Sequence, residues 1–224
     1  SETMADINAA IKAAQESAGE IVDAEAQYDV PAQTQQSAEV VPFQKPSMET
    51  MGHSTGIASS VDTWLKVKED GMKIGTEKGL IVDKVKVKIK MVEEDGFFVK
   101  QSIKWGNPVT YASTYDGRMS DKGGAWGDQL AMVRAIDPKA KPFPSADIIM
   151  VLDQDVKMKE TTVKKGTKVG HTLSMSNWGN WSEFYREVAA AGKVGEEIDV
   201  LISAEEVNGN NGYTWGVVAF ELAK

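Results

Sequence analysis

Nine consecutive residues, Asp83 to Met91, alternate lysine with apolar side chains, so Lys84, Lys86, Lys88 and Lys90 share one side of an extended strand while Val85, Val87 and Ile89 share the other. Lysines two apart on a strand stand roughly 7 Å from one another, and like charges on one sheet face repel unless an anion meets them. The spacing therefore asks for phosphates. The plain alternative is a solvated outer face that keeps the strand soluble and blunts edge pairing. A loop at Glu94-Asp95-Gly96, with glycine in the left-handed position, would lead into a second strand from Phe97 to Trp105. In that hairpin Lys90 faces Lys100 and Lys86 faces Lys104, giving a two-strand basic face. A slip of one residue would place Val99, Gln101 and Ile103 opposite the lysines instead.

Rings are the second resource. Of the six tryptophans and five tyrosines, many sit beside glycine, asparagine or lysine, as in Lys104-Trp105-Gly106, Asn177-Trp178-Gly179 and Gly212-Tyr213-Thr214-Trp215-Gly216. Rings beside small polar neighbours tend to lie near a surface. Bases stack on exposed rings for about 1–3 kcal/mol each, while lysines track the phosphates between them. Trp105, Tyr111, Tyr115, Trp178, Tyr213 and Trp215 are the candidate platforms. Trp181, Phe184 and Tyr185, at helical spacing, read as core, and Trp64 reads as packing. Trp126, after Gly123-Gly124, is open between a loop and the core.

Other chemistries lack their residues. There is no cysteine, hence no thiol nucleophile and no disulfide framework, which suits a reducing compartment. His53 and His171 are the only histidines, and no Gly-x-Ser-x-Gly elbow, Walker lysine loop or His-Glu-x-x-His helix accompanies them. Asp147, Asp153 and Asp155, or Glu93, Glu94 and Asp95, could hold a metal but read as solvated turn residues. No metal, cofactor or catalytic group is expected; the chain reads as a binder rather than an enzyme. No run of about 18 apolar residues and no basic-then-apolar leader appears, so no membrane is expected and the compartment is read as cytoplasmic.

The formal net charge of −8 argues against a polyanion partner until its distribution is read. Residues 1–62 hold ten acidic side chains against Lys12 and Lys45, while residues 63–224 balance 23 acidic with 23 basic ones. A neutral body can bind phosphate along a local basic strip, and the acidic segment is a separate object.

The elements that must position these groups follow from periodicity. Residues 6–27 have helical spacing, and the Pro, Gln and Ser composition up to residue 61 is that of a linker, so 1–61 reads as an acidic, largely flexible arm. The folded domain, 62–224, begins with a lead-in strand or turn from Trp64 to Ile74 and continues with the two strands above. An insertion at about 106–146 carries a short helix near Trp126 to Ile136. A strand pair at 147–159 and 162–175 follows. A helix is then capped by Asn180 with Glu183 as its capping-box partner and is ended by Gly192, before a closing hairpin at 198–205 and 213–222. Strands, one helix, then two last strands is the order of an OB-fold β-barrel, whose loop between the final strands is a usual ligand contact.

On the pattern Trp64-Leu-Lys-Val-Lys, the Thr114-Tyr115-Asp116-Gly117 turn, Ser176-Asn177-Trp178 with Phe184-Tyr185, and the ending Trp215-Gly216-Val217-Val218-Ala219-Phe220-Glu221-Leu222, residues 62–223 resemble the single-stranded DNA-binding proteins of tailed bacteriophages. The resemblance implies coating of single strands during replication or recombination in the host cytoplasm, with no cofactor, with replication proteins as further partners and with room for a homo-oligomer. Such proteins commonly end in an acidic tail. Here the sequence ends at Lys224, so either a tail has been removed or the acidic segment 1–62 plays a comparable part. Phosphate contacts are expected from Lys84, Lys86, Lys88, Lys90, Lys100 and Lys104. The rival reading is a virion or assembly protein whose N-terminal arm contacts neighbouring subunits.

Overall fold

A computed structural model of the chain describes residues 56–76 and 78–224; the expected helix at 6–27 and the linker up to residue 55 lie outside the described residues, while the last stretch read as linker, 56–61, holds a 3₁₀ turn at Ala58–Ser60 beside a buried Ile57. The strands are β1 (Thr63–Lys68), β2 (Gly71–Ile74), β3 (Val85–Lys90), β4 (Phe97–Trp105), β5 (Thr110–Thr114), β6 (Phe143–Leu152), β7 (Val156–Lys157), β8 (Thr162–Val163), β9 (Lys168–Thr172), β10 (Glu197–Asn208) and β11 (Thr214–Leu222). The α-helices are α1 (Trp126–Ile136), between β5 and β6, and α2 (Trp178–Ala190), between β9 and β10. The protein is mainly β, as its alternating segments require. It forms two compact units, one built on Val99–Pro144, the other on Ile57–Phe98 with Ser145–Lys224.

In the larger unit the hydrogen-bonded order is β11-β10-β3-β6-β9-β1-β2. Every neighbouring pair is antiparallel except β9 with β1. Alternation decides which side of each strand is inside: Leu65, Ile74, Val85, Val87, Leu152, Val169 and Ile202, from six of these strands, meet in one apolar interior. No closed barrel forms among the described residues, because the hydrogen-bonded path starts at β11 and stops at β2. The two ends nevertheless approach. A side chain at Gly216 in β11 would collide with the Lys68 carbonyl of β1, and the Thr214 hydroxyl donates to the Glu69 carboxylate.

Both hydrogen-bonding sides of β3 are taken, by β10 and by β6. The expected pairs Lys90–Lys100 and Lys86–Lys104 therefore do not form. Their failure has a local cause at the loop, where Glu94, not Gly96, takes the left-handed conformation, with φ 64°. Gly96 is needed for room: a Cβ there would strike the Lys90 carbonyl oxygen. The strand that pairs with β3 on this side is β6, not Phe97–Trp105, and β4, β5 and α1 lie in the chain between β3 and β6.

Helix α2 buries the stripe Trp181, Phe184 and Val188, as its spacing predicts, with Tyr185 half-buried. Trp181 meets Phe97 edge-on at 5.4 Å and Phe220 at 5.2 Å between ring centres, and Phe184 lies 5.6 Å from Phe220. Truncating such a buried ring to alanine costs about 3–5 kcal/mol. The helix starts at Trp178, so Asn180 lies inside it and makes no capping box. Instead Asn180 donates to Glu205 at 3.0 Å and to the Val218 carbonyl at 3.1 Å.

In the smaller unit β4 and β5 form an antiparallel hairpin, followed by α1 with Trp126, Leu130 and Val133 buried. Trp126 is a core residue with no exposed surface, and its indole N–H has no hydrogen-bond partner among the described residues. The Asp116 carboxylate accepts the backbone N–H groups of Arg118 and Met119 at 2.8 and 3.0 Å, which fixes the Thr114-Tyr115-Asp116-Gly117 turn.

Candidate nucleic-acid interface

The lysines of β3 do line one exposed face, with Val85, Val87 and Ile89 buried behind them. What meets them is carboxylate. Strand β10 lays Glu197 opposite Lys90 and Asp199 opposite Lys88. Lys84 pairs with Glu221 at 2.7 Å, Lys90 with Asp95 at 2.6 Å, and Lys88 with Asp199 at 2.5 Å and Asp153 at 3.9 Å. Hydrogen bonds across these pairs hold Asp199 and Glu221 below the usual carboxylate range and raise Lys88 and Lys90 above the usual lysine value. Only Lys86 has no carboxylate within ion-pair distance among the described residues; its backbone N–H donates to Gln154 at 2.8 Å. The repulsion that called for an outside anion is thus relieved internally. Each of these pairs is exposed and weakly held, so a phosphate could still compete for the lysines.

The hairpin β4–β5 makes a second face. Its register sets Lys104 beside Tyr111 and Ser102 beside Ser113, and alternation places Lys100 and Tyr115 on that same side. The inner end is packed: Lys100 is 7% exposed, its ammonium 3.5 Å from the Tyr115 hydroxyl and 5.4 Å from the centre of that ring, while the Ser102 and Ser113 hydroxyls bond at 2.7 Å. The outer end is open. Lys104 is exposed and makes no ion pair among the described residues, and Tyr111 beside it is 51% exposed. Trp105, next along, is half-buried and pairs in register with Thr110. The sequence separates Lys104 from Tyr111 by a loop, and the strand pairing brings cation and ring together.

A third group lies at the β10–β11 hairpin. Tyr213 is 70% exposed and Trp215 36%. The Trp215 indole N–H donates to the Ser176 hydroxyl at 2.8 Å, and its ring rests on Gly209, where a Cβ would lie 2.8 Å from the ring. A partly exposed ring held by an edge hydrogen bond and a backbone contact has little orientational freedom left to lose on stacking. Met175 beside Ser176 is also exposed, and Trp178 is half-buried at the start of α2. Asn177 joins these pieces. Its amide oxygen accepts the Val218 N–H at 2.9 Å and its amide nitrogen donates to the Val218 carbonyl at 3.0 Å. Ser176 and Asn177 are not among the expected site residues; their only sequence signal is a hydroxyl and an amide placed just before Trp178.

Most of the carboxylates considered as metal ligands have other partners. Asp147 is buried in β6 and accepts the Thr172 hydroxyl at 2.7 Å rather than sitting in a solvated turn; Asp155 accepts the Lys165 N–H at 2.8 Å. Among the described residues no three His, Asp or Glu side chains gather at ligand spacing, and no helix is long and apolar enough to cross a membrane. His171 is buried on β9, and its Nδ1–H donates to the Leu65 carbonyl at 3.0 Å, since a carbonyl can only accept. Comparisons with protein-family models, with curated proteins and with solved structures return no match.

Proposed function

We propose that this chain binds single-stranded DNA without sequence preference, lysines meeting phosphates and exposed rings meeting bases. The observation that carries the reading is the Lys104–Tyr111 pair, an exposed cation and an exposed ring side by side, with no carboxylate engaging the cation among the described residues. Topology supports it. Numbering β3, β6, β9, β10 and β11 one to five gives the order five-four-one-two-three with a helix between strands three and four, which is that of the OB-fold. The β1–β2 hairpin is inserted beside strand three, and we read the domain as a divergent, unclosed member of that class. In OB-folds the connections one-to-two and four-to-five contact the ligand. Here the first carries the β4–β5 hairpin and the second carries Tyr213 and Trp215. Coating of single strands during phage replication or recombination remains part of the proposal.

Tryptophan fluorescence titrated with oligo(dT) tests this. Salt-reversible quenching is expected, with duplex DNA binding far more weakly. Tyr111→Ala should lower the affinity by roughly 1–3 kcal/mol, or about 5- to 150-fold, with little change in salt slope. Lys104→Gln should reduce that slope by about 0.7. Absence of both quenching and a mobility shift at low salt rejects the reading.

A further inference from the structure

Three lysines outside the expected set stand where the β3 argument fails. On β1 and β2, Lys66 lies directly opposite Lys73, and Lys68 follows two residues along the same side of β1. Directly opposed like charges destabilise an antiparallel pair. On β3 that strain is relieved by Asp95, Asp153, Asp199 and Glu221; here none of Lys66, Lys68 and Lys73 makes an ion pair among the described residues. The acidic residues nearest in the chain are Glu69 and Asp70 of the intervening turn, and Glu69 is already engaged by the Thr214 hydroxyl.

That same contact fixes where the lysine row ends. The Lys68 carbonyl meets Gly216, and Thr214 meets Glu69, so the end of β1 abuts the segment that presents Tyr213 and Trp215. Cations about 7 Å apart along one strand and about 5 Å apart across two strands end beside the β11 segment that carries Trp215. We propose that Lys66, Lys68 and Lys73 form a phosphate track for single-stranded nucleic acid whose bases stack at Trp215 and Tyr213. The proposal rests on the single-strand reading above and assigns the strand a path through residues that reading does not use.

The test is the variant Lys66→Gln/Lys68→Gln/Lys73→Gln, with Trp215→Ala beside it, titrated with oligo(dT) from 0.05 to 0.3 M salt, assay concentrations of about the range where counterion release is measured. Three lost phosphate contacts on a single strand lower the slope of log affinity against log salt by about 2, or roughly 100-fold in affinity at 0.1 M. Trp215→Ala should weaken binding while keeping the slope. Thermal unfolding of the triple variant should match or exceed the unaltered protein, because repulsion is removed. If the unaltered protein binds and the triple variant keeps its slope, the track is overturned and the lysines are edge protection, while the single-strand reading stands. If the unaltered protein does not bind, both fall.

Discussion

Replacing Asn177 with alanine should cost about 1.5–4 kcal/mol of stability. The side chain is 1% exposed and acts as one more rung on the outer edge of β11, taking both backbone groups of Val218, itself fully buried. The two lost bonds are unequal. The Val218 carbonyl keeps the Asn180 amide at 3.1 Å, so losing Asn177 removes one of two donors, about 0.5–1 kcal/mol. The Val218 N–H has no second acceptor among the described residues, and a buried donor left unpaired costs about 1–3 kcal/mol. For a chain of this size the sum corresponds to a fall in melting temperature of roughly 3–16 °C. Asn180→Ala is the internal control. Its carbonyl partner remains bonded to Asn177 and its link to Glu205 is exposed, so it should cost under about 1 kcal/mol. Urea unfolding followed by circular dichroism gives both values, and hydrogen exchange at the Val218 amide should accelerate in Asn177→Ala alone. An Asn177→Ala variant within 0.5 kcal/mol of the unaltered protein, a difference of about the size of an ordinary surface substitution, would refute the edge-rung account. So would an Asn180→Ala variant that costs more.

Two further outcomes are expected. Asp199→Asn with Glu221→Gln removes the carboxylates holding Lys88 and Lys84, and oligo(dT) affinity should rise with a steeper salt slope; unchanged binding would show that the β3 face lies away from the strand. Burial pushes the His171 pKa below its ordinary value, with the hydrogen bond to Leu65 offsetting part of the effect. The unfolded chain therefore takes up a proton that the folded one resists, so this contribution is full above about pH 6.5 and declines as pH falls below it. His171→Gln should flatten the stability profile between about pH 6.5 and 5, above the range where carboxylates titrate.

Alternation and helical spacing made most elements legible, because a strand or helix announces its buried side in its own residues. The α1 and α2 stripes, the β3 face and the closing hairpin all follow from that. Partnership was harder to read. Lys84 to Lys90 look alike whether a phosphate or a carboxylate lies opposite, and the answer sits 111 residues away at Asp199. The assumption that consecutive strands pair gave β4 to β3, whereas the chain leaves through the β4–β5–α1 unit and returns with β6. Asn180 looked like a cap because Glu183 follows at capping-box spacing. Its amide is drawn instead to Val218 and Glu205, contacts that exist only once β10 and β11 are in place.

The alternation in β3 has one more consequence. A strand reading Val-Lys-Val-Lys-Ile-Lys is almost identical to itself after a shift of two residues. Slid by that amount along β10, it would still bury aliphatic side chains and still set Asp199 against a lysine, at Lys86 or Lys90 instead of Lys88. Neither its hydrophobic pattern nor its charges single out one alignment. The distinction comes from features that do not repeat: Gly96, the residue that fits against the Lys90 carbonyl; Gln154 and Asp153, which bond the two backbone groups of Lys86; and Glu221, which reaches Lys84. The position of the most regular strand in the molecule is thus written in the irregular residues around it.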